Sequence, residues 1–319
     1  MRALVTGGAG FIGSNLTLRL LEEGHEVRVL DNLSTGQRSN LPGSDVELIE
    51  GDVRSFERAS TATRGVEVVF HQAALPSIPR SLDDPLTSNA INVDGTLNVL
   101  LASRDHGVRR VVAASSSSVY GNAPGMPRRE SGSVAPVAPY PVSKLAAEQY
   151  CLVVSRVYGL ETVALRYFNV FGERQDPRSA YAAVVPRFVE AILRGEPPTI
   201  FGDGTASRDF THVENAVDAT IAAATAERAA GLAINIGTGS SRTINELVDA
   251  LSRLLGETLV PQHLSPRVGE ARTSLADISL ARDVLGYVPA IDFETGLERT
   301  IAWFREHRHR ASAEATGHT

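Results

Sequence analysis

The stretch "MRALVTGGAGFIGSNLTLRLLEEG" (Met1–Gly24) decides the fold. It opens on the β-branched run "RALVT" (Arg2–Thr6), passes through a glycine cluster, and continues with apolar residues at helical spacing that end on glycine. The cluster satisfies Gly8-x-Gly10-x-x-Gly13 and, one residue earlier, Gly7-x-x-Gly10-x-x-Gly13. Such a loop lets the turn tighten and brings backbone amides and a helix N-terminus up to a pyrophosphate. A glycine pattern alone is weak evidence. Here a strand precedes it, a helix follows, and Asp31 in "VLDNLSTG" stands at the end of the next strand. A carboxylate there accepts hydrogen bonds from ribose hydroxyls and repels a 2′-phosphate, which favours NAD; the nearby Arg38 argues the other way.

Outward from this unit, short strands alternate with helical patterns through the first half: "EVRVL" (Glu26–Leu30), "DVELIE" (Asp45–Glu50), "VEVVF" (Val66–Phe70), "RRVVAAS" (Arg109–Ser115) and "ETVALRY" (Glu161–Tyr167). Repeated βα units predict an α/β fold, a Rossmann-type doubly wound parallel sheet. Beyond Tyr167, proline and glycine cluster in "RGEPPTIFGDGTASRDF", and a smaller C-terminal α/β lobe is expected. The spans read as 1–168 for a nucleotide-binding domain, with about 211–239 returning to it through "LAINIGTG", 169–312 for a substrate lobe, and 313–319 for a disordered tail. In "EGDVRS", Asp52 and Val53 end a third strand, where a side chain can either reach an adenine or cap a helix.

Composition bounds the function. The 319 residues are 43% hydrophobic and 21% charged, with a net charge of -6, which argues against a general nucleic-acid or membrane-surface binder. No apolar run is long enough to span a bilayer. A single cysteine, Cys151, excludes an internal disulfide and fits a reducing cytoplasm; the opening strand leaves no room for a signal peptide. No paired metal-ligand spacing occurs, so no metal is expected.

Thirty of the 31 cationic Lys and Arg positions are arginine, and the lone lysine, Lys144, stands in "APYPVSKLAAEQY" four residues after Tyr140. That spacing puts both side chains on one helix face. A cation near a phenol favours the phenolate, which can then act as a base near neutral pH. Ser115, Ser116, Ser117 and Ser118 end the fifth strand, on the edge where open α/β sheets bind ligands. His71 in "FHQAA" also ends a strand and reads as packed within the sheet edge.

The glycine loop, Asp31, the serine run and Tyr140/Lys144 together resemble the extended short-chain dehydrogenase/reductase family, specifically its nucleotide-sugar 4-epimerases. The similarity covers nearly the whole chain and extends to "NVDGT" from Asn92, "LRYFNVFG" with Asn169, "SRDFTHV" with Arg208 and "PRVGEARTSLAD" with Arg267. The resemblance implies Tyr140 as catalytic base, Lys144 on the nicotinamide ribose and Ser116 as the catalytic serine. It places Gly7, Gly10, Phe11, Ile12, Gly13, Asp31, Asn32, Asp52, Val53, Ala73, Asn92, Ser115, Tyr140 and Lys144 around NAD. Ser116, Ser117, Ser118, Tyr140, Asn169, Arg208, Arg267, Glu270 and Ser274 would hold a UDP-sugar.

Several of these positions discriminate among relatives. Dehydratases and decarboxylases of the family carry an acid just before Val-Tyr-Gly, where this chain has Ser117 and Ser118, so epimerisation is favoured over them. Glu270 replaces a usual Asp, and Ser274 is small where glucose-restricted members carry tyrosine, which favours acceptance of N-acetylated sugars beside UDP-glucose. A UDP-glucuronate 4-epimerase is the alternative, with Arg174 or Arg178 meeting the carboxylate; a dehydratase, an oxidoreductase or a non-catalytic NAD sensor are others. Relatives are homodimers that pair long helices, and those after Asp84 and Tyr140 would serve.

Overall fold

The computed structural model describes residues 1–177, 182–266 and 272–316. Strands β1 (Arg2–Thr6), β2 (Glu26–Asp31), β3 (Glu47–Glu50), β4 (Val68–His71), β5 (Arg110–Ser116) and β6 (Glu161–Tyr167) form most of one sheet. After the short strands β7 (Val170–Phe171), β8 (Thr199–Phe201), β9 (Ser207–Arg208) and β10 (Thr211–His212), the chain returns to it as β11 (Leu232–Ile236). The order is β11-β6-β5-β4-β1-β2-β3, every pair parallel. Chain direction across the sheet reverses between β1 and β4, which opens a crevice at their carboxyl ends.

Side chains alternate across this sheet as period-2 geometry requires. Ala3, Val5, Val27, Val29, Val68, Phe70, Val112 and Val163 enter one core layer; Leu4, Leu30, Val69 and Val111 enter the other. Helix α1 (Phe11–Glu22) covers the first face, while α2 (Phe56–Thr63) lies on the second. Next come α3 (Ile78–Asp83), α4 (Pro85–Asn89), α5 (Gly95–Asp105) and α6 (Pro139–Tyr158). A π turn, Ala90–Asp94, joins α4 to α5 within the pattern read as one long helix. Helix α6 starts with proline in its first turn and ends on Gly159 in the left-handed conformation, φ 72°.

A separate apolar cluster builds the second lobe from α7 (Val184–Leu193), α9 (Ile244–Leu255) and α11 (Phe293–Thr316), with α8 (Val213–Thr225) and α10 (Ser279–Leu285) packing back on the sheet. Strands β12 (Arg242–Thr243) and β13 (Gln262–Leu264) pair with β9 and β8. Helix α11 continues to Thr316, into the stretch read from sequence as tail. No helix among the described residues is long and apolar enough to cross a membrane.

Candidate active site

A cleft of about 1010 Å³ runs from the glycine loop, past the end of β5, to β9 and the 273–274 segment. It is large enough for a dinucleotide and a second ligand end to end. At the first end, Gly7 takes φ +69°, and a Cβ there would meet the Ala73 backbone at 2.7 Å; a Cβ on Gly13 would stand 2.1 Å from the Gly7 carbonyl oxygen. Both are glycine because backbone approaches backbone, leaving a cradle before α1. Gly7, Gly10, Phe11, Ile12, Gly13, Asp31, Asn32, Asp52, Val53 and Ala73 line this end, as the resemblance implies.

Asp31 is buried and already accepts from the Ala9 and Leu33 amides at 2.9 and 2.8 Å, so it shapes the loop as well as facing the cleft. Asn32 donates to Asp52 at 2.8 Å; hydrogen bonds from Arg54 hold the Asp52 carboxyl down at about 2. Arg38 does not line the cleft: its guanidinium is exposed and pairs with Glu50 at 3.0 Å. The argument against NAD that Arg38 carried in the sequence therefore lapses, and this cradle with its carboxylate fits NAD.

At the centre, β5 delivers Ser115 and Ser116, and a tight turn carries Ser117 and Ser118. Ser116 stands beside the half-buried Tyr140 phenol, where it favours the ionised form, and accepts from Ser118 Oγ at 2.9 Å. Helix α6 is fixed at its start by the Tyr140 amide, which donates to Ser81 Oγ at 3.0 Å. One turn on, Lys144 is only 5% exposed, and its Nζ donates to the Ala114 carbonyl at 2.6 Å.

The pair stands one helical turn apart at the cleft, and burial acts on both groups. Burial raises the Tyr140 phenol, with Ser116 pulling the other way, while burial lowers the Lys144 ammonium to about 8. Burial thus works against both charged forms, and the positive charge of Lys144 has to offset a cost that the spacing alone does not show. The spacing argument assumed a solvated ammonium; burial penalises both charged forms.

At the far end, Asn169, Arg208 and Ser274 line the cleft. Ser274 is tied to the Ser207 carbonyl through its amide at 3.0 Å, and its Oγ accepts from Asn169 at 3.3 Å. Arg174, a candidate for a sugar carboxylate, faces the cleft but donates to Asn15 on α1 at 2.8 Å. Arg178, Arg267 and Glu270 lie outside the described residues.

Two other candidates take structural positions. Asn92 does not line the cleft; buried in the π turn, it binds the Leu75 amide at 2.7 Å and Ser143 Oγ at 2.9 Å, holding the wall between β4 and α3. His71 bridges Thr6 at 2.7 Å and Thr96 at 3.0 Å and is held neutral by burial, down to about 3. The sequence reading passed over Arg128, which lines the cleft and donates to three backbone carbonyls, and the buried pair Glu148–Arg166. Arg166 had a visible signal, a charge following the apolar run Val163–Leu165 in a buried strand.

Comparisons with known proteins agree with this geometry. Residues 3–237 match the model of the NAD dependent epimerase/dehydratase family. A UDP-glucose 4-epimerase of Mycolicibacterium smegmatis is 40% identical over 96% of this chain and 99% of its own. A UDP-N-acetylglucosamine 4-epimerase from Methanobrevibacter ruminantium, solved with UDP-N-acetylmuramic acid, superposes with TM-score 0.91 at 40% identity, over 96% of this chain and 98% of its own. The UDP-glucose 4-epimerase of Thermus thermophilus, solved with NAD, gives 0.87 at 37% over 96% and 99%. By its fold, its cleft and these matches along almost its entire length, the chain belongs to the NAD dependent epimerase/dehydratase family.

Proposed function

We propose that the chain is a UDP-sugar 4-epimerase that inverts C4 of a UDP-hexose through a transient 4-keto sugar. The observation that carries this is the gathering of Ser116, Tyr140 and Lys144 in one cleft, the last two a helical turn apart, with Asn169, Arg208 and Ser274 at its far end. Tyr140, as phenolate, takes the proton of the sugar 4-hydroxyl. Ser116 holds O4 in line with it, and Lys144 supplies positive charge and a donor to the nicotinamide ribose. Gly7, Gly10, Gly13 and Asp31 would hold NAD, which would supply the hydride acceptor and donor for C4. The keto sugar turns in the cleft, presents its other face, and regains its O4 proton from Tyr140. Net redox is zero, so the cofactor is retained between turnovers.

Arg208, with Arg267 by resemblance, grips the diphosphate, a geometry suited to guanidinium forks. Ser117 and Ser118 offer no acid for elimination or decarboxylation. The small Ser274 leaves width for an N-acetyl group, so both UDP-glucose and UDP-N-acetylglucosamine are substrates in this reading. A homodimer forms through α6, whose Val142, Tyr150, Val153 and Val157 are exposed along one stripe, beside the exposed Leu82 and Leu86. The deciding assay feeds UDP-glucose, UDP-N-acetylglucosamine and UDP-glucuronate separately without added cofactor and resolves the products. Stable 4-epimers support the proposal; a 4-keto-6-deoxy sugar, a pentose or free NADH would sink it.

A further inference from the structure

Directly behind the serine run lies an ion pair with almost no solvent access: the Glu148 side chain is 0% exposed and that of Arg166 6%. Arg166 Nε and Nη2 donate to the two Glu148 carboxylate oxygens at 2.9 and 2.6 Å, a bidentate fork. Ser115 Oγ donates to the same carboxylate at 2.7 Å. The remaining arm, Arg166 Nη1, donates to the Tyr120 hydroxyl at 2.7 Å, which donates in turn to Asn235 on β11 at 2.7 Å. One network thus crosses α6, β5, β6 and β11.

Its placement on α6 matters. Tyr140, Lys144 and Glu148 follow one another at helical steps of four, so they share the face turned to β5 and β6. A buried carboxylate one turn from the Lys144 ammonium is its natural partner, yet Lys144 bonds the Ala114 carbonyl instead, because Glu148 is fully occupied by Arg166 and Ser115. Removing the guanidinium would leave the Glu148 carboxylate with one donor, Ser115, and with the Lys144 ammonium one helical turn away as the nearest cation on its own face.

We propose that Arg166 is a positioning residue of the reaction: by occupying Glu148 it keeps that carboxylate from capturing Lys144, and so leaves the ammonium directed to Tyr140 and the cofactor ribose. This rests on the roles given above to Tyr140 and Lys144. The charged and titratable groups around Lys144 are His71 on β4, Cys151 and Glu148 on α6, and Arg166 and Tyr167 on β6. His71 is neutral, and burial holds the Cys151 and Tyr167 groups protonated, so Glu148 and Arg166 are the charges that count. In Arg166→Met, the freed carboxylate draws Lys144 away and adds negative charge near the phenol. Both effects disfavour the phenolate.

The test compares Arg166→Met, Arg166→Lys and the double variant Glu148→Gln/Arg166→Met, each loaded with NAD. The pH profile of nicotinamide reduction on adding UDP-sugar is followed by fluorescence, with thermal unfolding in parallel. Arg166→Met should shift the acid limb upward by about one unit and lower the rate at pH 7 about tenfold, with KM little changed. The double variant, having no carboxylate to release, should recover the wild-type limb, since neutral replacement of both partners is tolerated. Arg166→Lys, which keeps a charge but not the fork, should fall between, and it carries the test if Arg166→Met does not fold. Equal loss in single and double variants with an unmoved limb would overturn the proposal and leave a merely structural pair. If the wild type reduces its nicotinamide but makes no 4-epimer, the epimerase reading fails while the limb comparison still judges Arg166.

Discussion

Replacing Lys144 by methionine should make the protein more stable and much less active, and both sizes follow from the structure. Burial depresses the ammonium from 10.5 to about 8. A shift of about 2.5 units corresponds to roughly 3 kcal/mol of strain, borne whenever the folded amine is charged. Between pH 8 and 10.5 the unfolded chain binds the proton and the folded one does not, so stability rises with pH across that window; below it the full cost persists. Methionine fills similar space without charge, so at pH 7 the variant should gain up to about 3 kcal/mol, less the lost bond to Ala114, a rise of a few degrees in Tm. For activity, residues one helical turn apart have Cβ atoms about 6 Å apart, and two opposite charges held at about that distance attract by roughly 3 kcal/mol at an effective dielectric near 20. Losing it costs on the order of 100-fold in phenolate, hence in kcat, at pH 7. Calorimetry and the pH profile of UDP-sugar turnover read both numbers. A variant that is less stable than wild type, or whose acid limb does not move, would refute the reasoning. Lys144→Arg keeps the charge but places a wide fork where one 2.6 Å bond fits, and should also lose most activity.

Gly13→Ala should yield protein purified without NAD, measured by releasing the nucleotide from denatured enzyme, because its Cβ would meet the Gly7 carbonyl at 2.1 Å with only backbone to give way. His71 is neutral in the fold, down at about 3 against 6.5 when unfolded, so its contribution is present above pH 6.5 and lost as the pH falls, on the order of 5 kcal/mol at the limit. His71→Gln should therefore flatten the acid side of the urea midpoint against pH. Ser274→Tyr should cut turnover of UDP-N-acetylglucosamine at least tenfold and spare UDP-glucose; equal effects on both would remove Ser274 from the specificity argument. Val153→Glu, in the exposed stripe of α6, should convert a dimer to a monomer by light scattering.

The sheet was legible because its signals are local: period-2 apolar runs, a glycine loop that brings backbone onto backbone, and Tyr140 and Lys144 at a spacing that defines a helix face. What escaped were properties of groups meeting across long stretches of chain. Arg38 looked like a phosphate partner until Glu50, on the neighbouring strand, claimed it. Asn92 looked like a ligand contact until its amide proved to hold the Leu75 loop. Arg166 and Glu148 stand 18 positions apart and become one unit only when β6 lies under α6. The burial that raises the Tyr140 phenol was not legible either, because burial is a sum over the whole fold.

The return of β11 to the sheet bears on how the protein is made. Strand β6 is buried along nearly its whole length, yet its outer partner is Leu232–Ile236. On the ribosome, about seventy residues must be added after Tyr167 before that partner emerges, roughly 4 to 14 s at ordinary elongation rates. For that interval the nascent nucleotide-binding half carries an open, apolar strand edge, the feature most prone to pair with a neighbouring chain. A fragment cut after residue 168 would keep that edge for good. The first half, which holds the glycine cradle and Tyr140, becomes a finished unit only when the second half has been synthesised through Ile236.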